Sequence, residues 1–221
     1  MNAKSARDQA VRDAKTNIIL DAARQVFSAR GYHETRLEDI AASAGFSKAA
    51  LYNYYQDKEE IFLSLAIREY ERLLKKVEQT ERGGADAGES IRSILYSIFT
   101  LFGEQFGIML AISHFRAAAH GNRSIEEVER RHADRTEQFK NLYGMMQAAM
   151  MRIIARARAA GTIKSSLSDT VLARYLGSLI RGTMFEWKIA GELGNIDEEV
   201  GNIMTFLCEG MKLEFNPDLS S

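Results

Sequence analysis

Apolar residues recur at three- and four-residue steps along most of this chain, and no stretch alternates strictly between apolar and polar. From Lys15 to Arg30 the residues Ile18, Ile19, Ala22, Ala23, Val26 and Phe27 form one stripe, which predicts an amphipathic helix stopped by Gly31. Thr35 with Glu38 reads as a capping box opening a second, short helix over "RLEDIAASA", ended by Gly45. Ser47 is placed to cap a third helix from Lys48 to about Tyr55, and Asp57 with Glu60 opens a long helix from Lys58 towards Glu81. After the glycine-rich linker "RGGADAGES", helices are expected from about Ser90 to Gln105 and over the apolar run closed by Gly121. Another should run from Ser124 to Ala160 with a bend at Gly144, then one from Ser168 to Ala190, and a last one capped by Asn195 and Glu198.

The pattern predicts an all-α chain. Composition agrees: of 221 residues 46% are hydrophobic and 27% charged, and the single proline, Pro217, leaves everything upstream free to be helical. The net charge of -1 does not announce a nucleic-acid partner. No apolar run reaches the roughly 18 residues of a membrane span, and the N-terminus lacks a signal-peptide core, so a cytoplasmic location is expected. Cys208 cannot form an internal disulfide and is expected to be a buried structural thiol.

The third helix carries the chemistry. On a helical wheel Leu51 and Tyr55 face the core, while Lys48, Ala49, Tyr52 and Asn53 fall on the opposite arc. Alanines allow close approach to a surface, Lys48 supplies a cation, Tyr52 a hydroxyl, and Asn53 an amide able to pair with an adenine edge. Thr35 and Arg36, at the start of the preceding helix, are placed to meet a phosphate. This is the division of labour of a helix-turn-helix, with one helix braced on the DNA backbone and the next in the major groove. The plainer alternative is a three-helix core whose tyrosines only pack.

"GYHETRLEDIAASAGFSKAALYNYYQDKEEIFLSLA", Gly31 to Ala66, resembles the helix-turn-helix signature of the tetracycline-repressor (TetR) family of bacterial transcription regulators. The matching elements are Gly31-Tyr32, Thr35, Ile40-Ala41, Ala44-Gly45, Ser47-Lys48, Leu51-Tyr52, Tyr54 and Lys58-Glu59. The resemblance implies that Lys48, Ala49, Ala50 and Tyr52 sit at the groove, with Tyr54, Lys58 and the Thr35/Arg36 helix start on phosphates. The wheel alone turns Tyr54 nearer the core. Arg36 stands where the family usually has threonine or serine, and Ala49-Ala50 replaces its common glycine-threonine. From Met1 to Lys58 nine cations oppose seven acids, so charge adds little. Arg7, Arg12 and Lys15 are expected in a solvated, disordered tail, with an arm on DNA as the alternative.

These readings divide the chain into a helix-turn-helix DNA-binding domain, residues 12–60, and an effector-binding and dimerisation domain, residues 61–221. In the second, the helix ending at Ala190 is apolar around most of its girth, so it is expected to be buried on two sides. The resemblance implies a four-helix dimer interface built from the last two helices, for which Leu172, Tyr175, Leu179, Val200, Ile203, Leu207 and Met211 are the candidates. Phe99, Phe102, Phe106, Met109, Phe115, Tyr143, Met146, Met150 and Trp187 are candidates for lining an effector cavity, or else are simply core. The implied effector is small and largely apolar, aromatic or an acyl chain, with Tyr143 or His114 fixing a polar end and Arg116 available for an acid group. The four histidines have no metal-ligand spacing and are expected to be solvated, and no cofactor loop or catalytic constellation is visible. The expected function is a ligand-responsive repressor that binds a palindromic operator as a homodimer. A helical dimeric small-molecule or protein-interaction module without DNA binding is the alternative.

Overall fold

The computed structural model describes residues 3–84, 86–104 and 130–210. Among these there are eight helices and no strand: α1 (Ala3–Arg30), α2 (Leu37–Ala44), α3 (Lys48–Leu51), α4 (Lys58–Arg82), α5 (Ala87–Glu104), α6 (Ala133–Ala159), α7 (Asp169–Ala190) and α8 (Ile196–Glu209). The described residues fall into two compact units, one drawn from 1–75 and 101–146, the other from 76–100 and 147–221. No described helix is long and apolar enough to cross a membrane.

The first unit grows from the stripe on α1. Ile19, Leu20, Ala23 and Phe27 are buried against Ile40 and Ala41 of α2, Leu51 of α3, and Ile61, Phe62 and Leu65 of α4. Burying a side chain such as Leu51 is worth about 2 kcal/mol, so one leucine contributes much of what holds so short a helix in place. Rings of Phe27, Tyr32 and Phe62 meet at centroid distances of 4.9–6.0 Å. Gly45, at φ 73°, ends α2 in the left-handed region, and the Phe46 N–H returns to the Ala41 carbonyl at 2.8 Å. A side chain at position 45 would strain the turn that aims α3.

Several element boundaries differ from expectation. α1 begins at Ala3 rather than Lys15, so Arg7, Arg12 and Lys15 lie on a helix and not in a disordered tail. Good helix formers extend an already nucleated helix without an apolar face, and Gln9 donates to Asp13 at 2.8 Å, one turn on. The cap of α2 is Arg36 rather than Thr35: the Asp39 carboxylate accepts the Arg36 N–H at 3.0 Å, while Thr35 is buried. α3 closes at Leu51, and residues 52–54 continue as a turn whose Tyr54 and Tyr55 N–H groups both reach the Leu51 carbonyl. α5 starts at Ala87 because Asp86 accepts from the N–H groups of Gly88 and Glu89 at 2.7 and 3.1 Å. α6 starts at Ala133, and Gly144 lies inside it without ending it.

In the second unit the buried side chains include Ile94, Leu95, Phe99, Met150, Ile153, Ile154, Leu176, Ile180, Trp187, Val200 and Ile203. Phe99 and Trp187 pack with ring centroids 5.1 Å apart. α8 is capped as expected: the Asn195 side chain accepts from the N–H groups of Asp197 and Glu198. Cys208 is exposed, which corrects the expectation of a buried thiol; it lies in the last turn of α8, where Phe206 and Leu207 are exposed too.

Candidate nucleic-acid interface

Ser47 opens α3 by accepting the Ala50 N–H at 3.1 Å, and Leu51 and Tyr55 then anchor the segment, each almost wholly buried. What remains outside is Lys48, Ala49, Tyr52 and Asn53, with Ala50 half-buried. Tyr52 is 49% exposed, so its ring and hydroxyl are open to a partner. Arg36 is exposed at the start of α2.

Lys48 is not idle in the free chain. Its ammonium pairs with Glu38 of α2 at 2.5 Å. The hydrogen bond between them raises the lysine's pKa and holds the Glu38 carboxyl below the usual carboxylate range. Both side chains are exposed, each with about half its surface open to solvent, so the pair is labile and open to exchange for a phosphate. Nothing in the sequence periodicity announces it, because the two residues sit on different helices across the Gly45 turn.

Two candidate phosphate ligands face inward instead. The Thr35 hydroxyl donates to the Gly31 carbonyl at 2.7 Å, and the residue is buried. The Lys58 ammonium donates to the carbonyls of Tyr32 at 2.8 Å, Thr35 at 2.9 Å and His33 at 3.3 Å, with the Tyr32 ring 4.5 Å away. Its pKa is lowered by burial, with Glu59 and Glu34 acting in opposition. Three acceptors use the three donors of an ammonium, so Lys58 closes the α1–α2 loop and is not presented to a ligand. Burial, with help from Glu59, pushes the Tyr32 phenol well above its usual range; its hydroxyl donates to Glu59 at 3.1 Å.

Tyr54 is half-buried, its ring edge-on to Phe46 at 6.0 Å and beneath the Arg12 guanidinium at 5.4 Å. Arg12 also donates to the Asn53 carbonyl at 3.4 Å, so the early part of α1 touches the turn after α3. That contact escaped the sequence reading, although unbroken helix formers from Ala3 onward were a usable signal.

The start of α4 carries a further charged cluster. Asp57 accepts the Glu60 N–H at 2.8 Å, as a cap should, and also lies 3.0 Å from His132 Nε2. His132 is buried, which corrects the expectation of a solvated histidine. Arg135 of α6 donates twice to Glu60, at 3.1 and 3.2 Å, and lies 5.9 Å from the Tyr55 ring. Burial pushes the pKa of the Tyr55 phenol up to about 12.

Among the effector candidates, Phe99, Phe102, Met146, Met150 and Trp187 are buried and Tyr143 is half-buried. Phe102, Tyr143 and Met146 belong to the first unit, and Phe99, Met150 and Trp187 to the second. Phe106, Met109 and Phe115, with His114 and Arg116, lie outside the described residues. Of the dimer candidates, Val200 and Ile203 are buried within the single chain, Leu172 and Leu179 are half-buried, Tyr175 and Leu207 are exposed, and Met211 lies outside the described residues. Among the described residues no group of His, Cys, Asp and Glu is arranged to hold a metal ion.

Residues 19–65 match the family model for bacterial regulatory proteins of the tetR family. The chain is 34% identical over 88 residues to the HTH-type transcriptional activator FasR of Mycolicibacterium smegmatis, a match covering 40% of each protein. It is 30% identical over 83 residues to the fatty acid metabolism regulator protein of Bacillus subtilis, covering 38% of this chain and 43% of the relative. The chain thus spans about two-fifths of the length of these curated relatives. Its fold is similar to that of the transcriptional regulator FadR from Bacillus subtilis in complex with stearoyl-CoA, with TM-score 0.69 and 20% identity over 88% of this chain and 98% of the other.

Proposed function

The chain belongs to the tetR family of bacterial regulatory proteins, and from that premise we propose that it is a repressor that binds a palindromic operator as a homodimer and leaves it when a small apolar effector binds. One observation carries the reading. A four-residue helix, aimed by the Gly45 turn and anchored by Leu51, leaves Lys48, Ala49, Tyr52 and Asn53 bare on the side away from the core. So short a helix reads only a few base pairs, and a two-fold pair of them on successive major grooves, roughly 34 Å apart, supplies useful specificity. In this reading residues 12–60 bind DNA and residues 61–221 take the effector and the second subunit. Repression follows if the seated dimer covers a promoter.

For the effector we propose a fatty-acyl compound, such as an acyl thioester of coenzyme A. The apolar side chains of Phe99, Met150 and Trp187, buried in the second unit, suit an acyl chain better than a charged ligand. The names of the Bacillus subtilis regulators, one for fatty acid metabolism and one bound to stearoyl-CoA, favour the same class.

Selection of bound sequences from a random duplex pool tests the DNA reading. The expected product is a palindrome whose half-sites are about one helical turn apart. Titrating acyl-CoA thioesters of graded length into that complex should release DNA over the same concentration range that changes Trp187 fluorescence. A pool that yields no enriched sequence would sink the operator reading. Thioesters that leave the complex intact would sink the effector class alone.

A further inference from the structure

The first half of α1 is unlike the rest of the described chain. Residues 4–15 are all exposed, yet they are helical. An isolated helix of this length is marginal in water, and without an apolar face against the core it gains little from folding. Its charges are not evenly spread. Lys4, Arg7, Arg12 and Lys15 stand against only Asp8 and Asp13. At about 100° per residue the four cations share an arc of roughly 140° in which Asp8 is the one acid, while Asp13 lies on the far side with Ala6 and Ala10. The segment is also held in a definite place: the Arg12 guanidinium lies over the Tyr54 ring and donates to the Asn53 carbonyl. Lys4, Asp8 and Arg12 share an open groove with Tyr54. The cationic arc therefore continues the candidate reading surface.

We infer that residues 3–15 are a second DNA-contacting element, a helical rod whose Lys4, Arg7 and Lys15 engage duplex phosphates beside the segment faced by Lys48 and Tyr52. The inference rests on the DNA-binding reading above. Lys4 to Lys15 spans about 17 Å along the helix, enough to lie over several phosphates. Phosphates carry no sequence information, so the rod adds affinity and salt dependence and leaves the operator sequence unchanged. Arg12 acts differently, since its packing on Tyr54 positions the rod.

Binding of the full chain to a labelled random-sequence duplex, followed by anisotropy across a range of salt concentrations, provides the test. The variant Lys4→Gln/Arg7→Gln/Lys15→Gln keeps good helix formers at exposed positions, and circular dichroism checks that it stays folded. Its plot of log affinity against log salt should be flatter than that of the parent by about two to three, close to one per lost phosphate contact. A control, Lys75→Gln/Arg82→Gln/Lys164→Gln, removes the same charge from other exposed positions and should change the slope by less than about one. Equal flattening in both variants would reduce the effect to net charge and overturn the inference, as would an unchanged slope in the first. If the parent chain binds no duplex, the DNA-binding reading itself falls and takes this one with it; measuring the parent first separates the two failures.

Discussion

Lys58 opens α4, and the resemblance to the TetR family implies a phosphate contact for it. The fold turns it inward onto three loop carbonyls, with Tyr32 below. Replacing it with alanine leaves those acceptors without their shared donor, so Lys58→Ala should lower the stability of the DNA-free protein by about 1–3 kcal/mol in urea denaturation. Unchanged stability together with weaker DNA binding would restore the phosphate role. Thr35 has the same character, its hydroxyl given to the Gly31 carbonyl. Lys48, Ala49, Tyr52 and Asn53 were legible because a short helix anchored at Leu51 leaves the opposite arc outside whatever the core contains.

Helix boundaries follow local chemistry closely where a side chain caps the backbone and drift where none does. Ser47, Asp57 and Asn195 each accept an N–H group at the start of their helices. The turn between α7 and α8 depends on a contact that no capping rule contains. A Cβ added at Gly194 would lie 2.2 Å from Trp187 Nε1, so the indole is packed directly on that backbone. Gly194→Ala should therefore displace Trp187 from its place against Phe99, destabilise the protein by about 1–3 kcal/mol and shift tryptophan emission to longer wavelength. Emission and melting temperature identical to the parent would mean that the turn adjusts without moving the ring. The ring is also the optical reporter for the effector test, so this variant shows whether that signal reads packing around Phe99.

A single chain leaves large apolar side chains uncovered: Tyr175 and Phe185 on α7, Ile189 at 72% exposure, Leu193 in the following turn, and Phe206 and Leu207 on α8. Under the homodimer reading these meet a second copy, whereas Val200 and Ile203 serve the chain's own core. The distinction gives a clean contrast. Phe185→Glu with Leu207→Asp adds charge only where the lone chain is already wet, so it should yield a folded monomer that has lost tight binding to the selected palindrome. Val200→Asp should instead unfold the chain, because an unpaired buried carboxylate costs several kcal/mol. Sedimentation of the double variant as an unchanged dimer would place the interface elsewhere.

The sequence by itself determined the helical class, most helix ends and the arc of the third helix that faces away from the core. Each of these depends on interactions within a few residues: the 3.6-residue period, side-chain caps, and glycines that accept the left-handed turns at Gly31 and Gly45. Tertiary structure alone decided where the charges point. Lys58 reaches carbonyls 23 to 26 residues away, Arg12 a carbonyl 41 residues away, and His132 a carboxylate 75 residues away. No local pattern encodes such pairings. A long charged side chain takes the nearest acceptor that packing brings within reach, and that acceptor exists only once the helices have assembled.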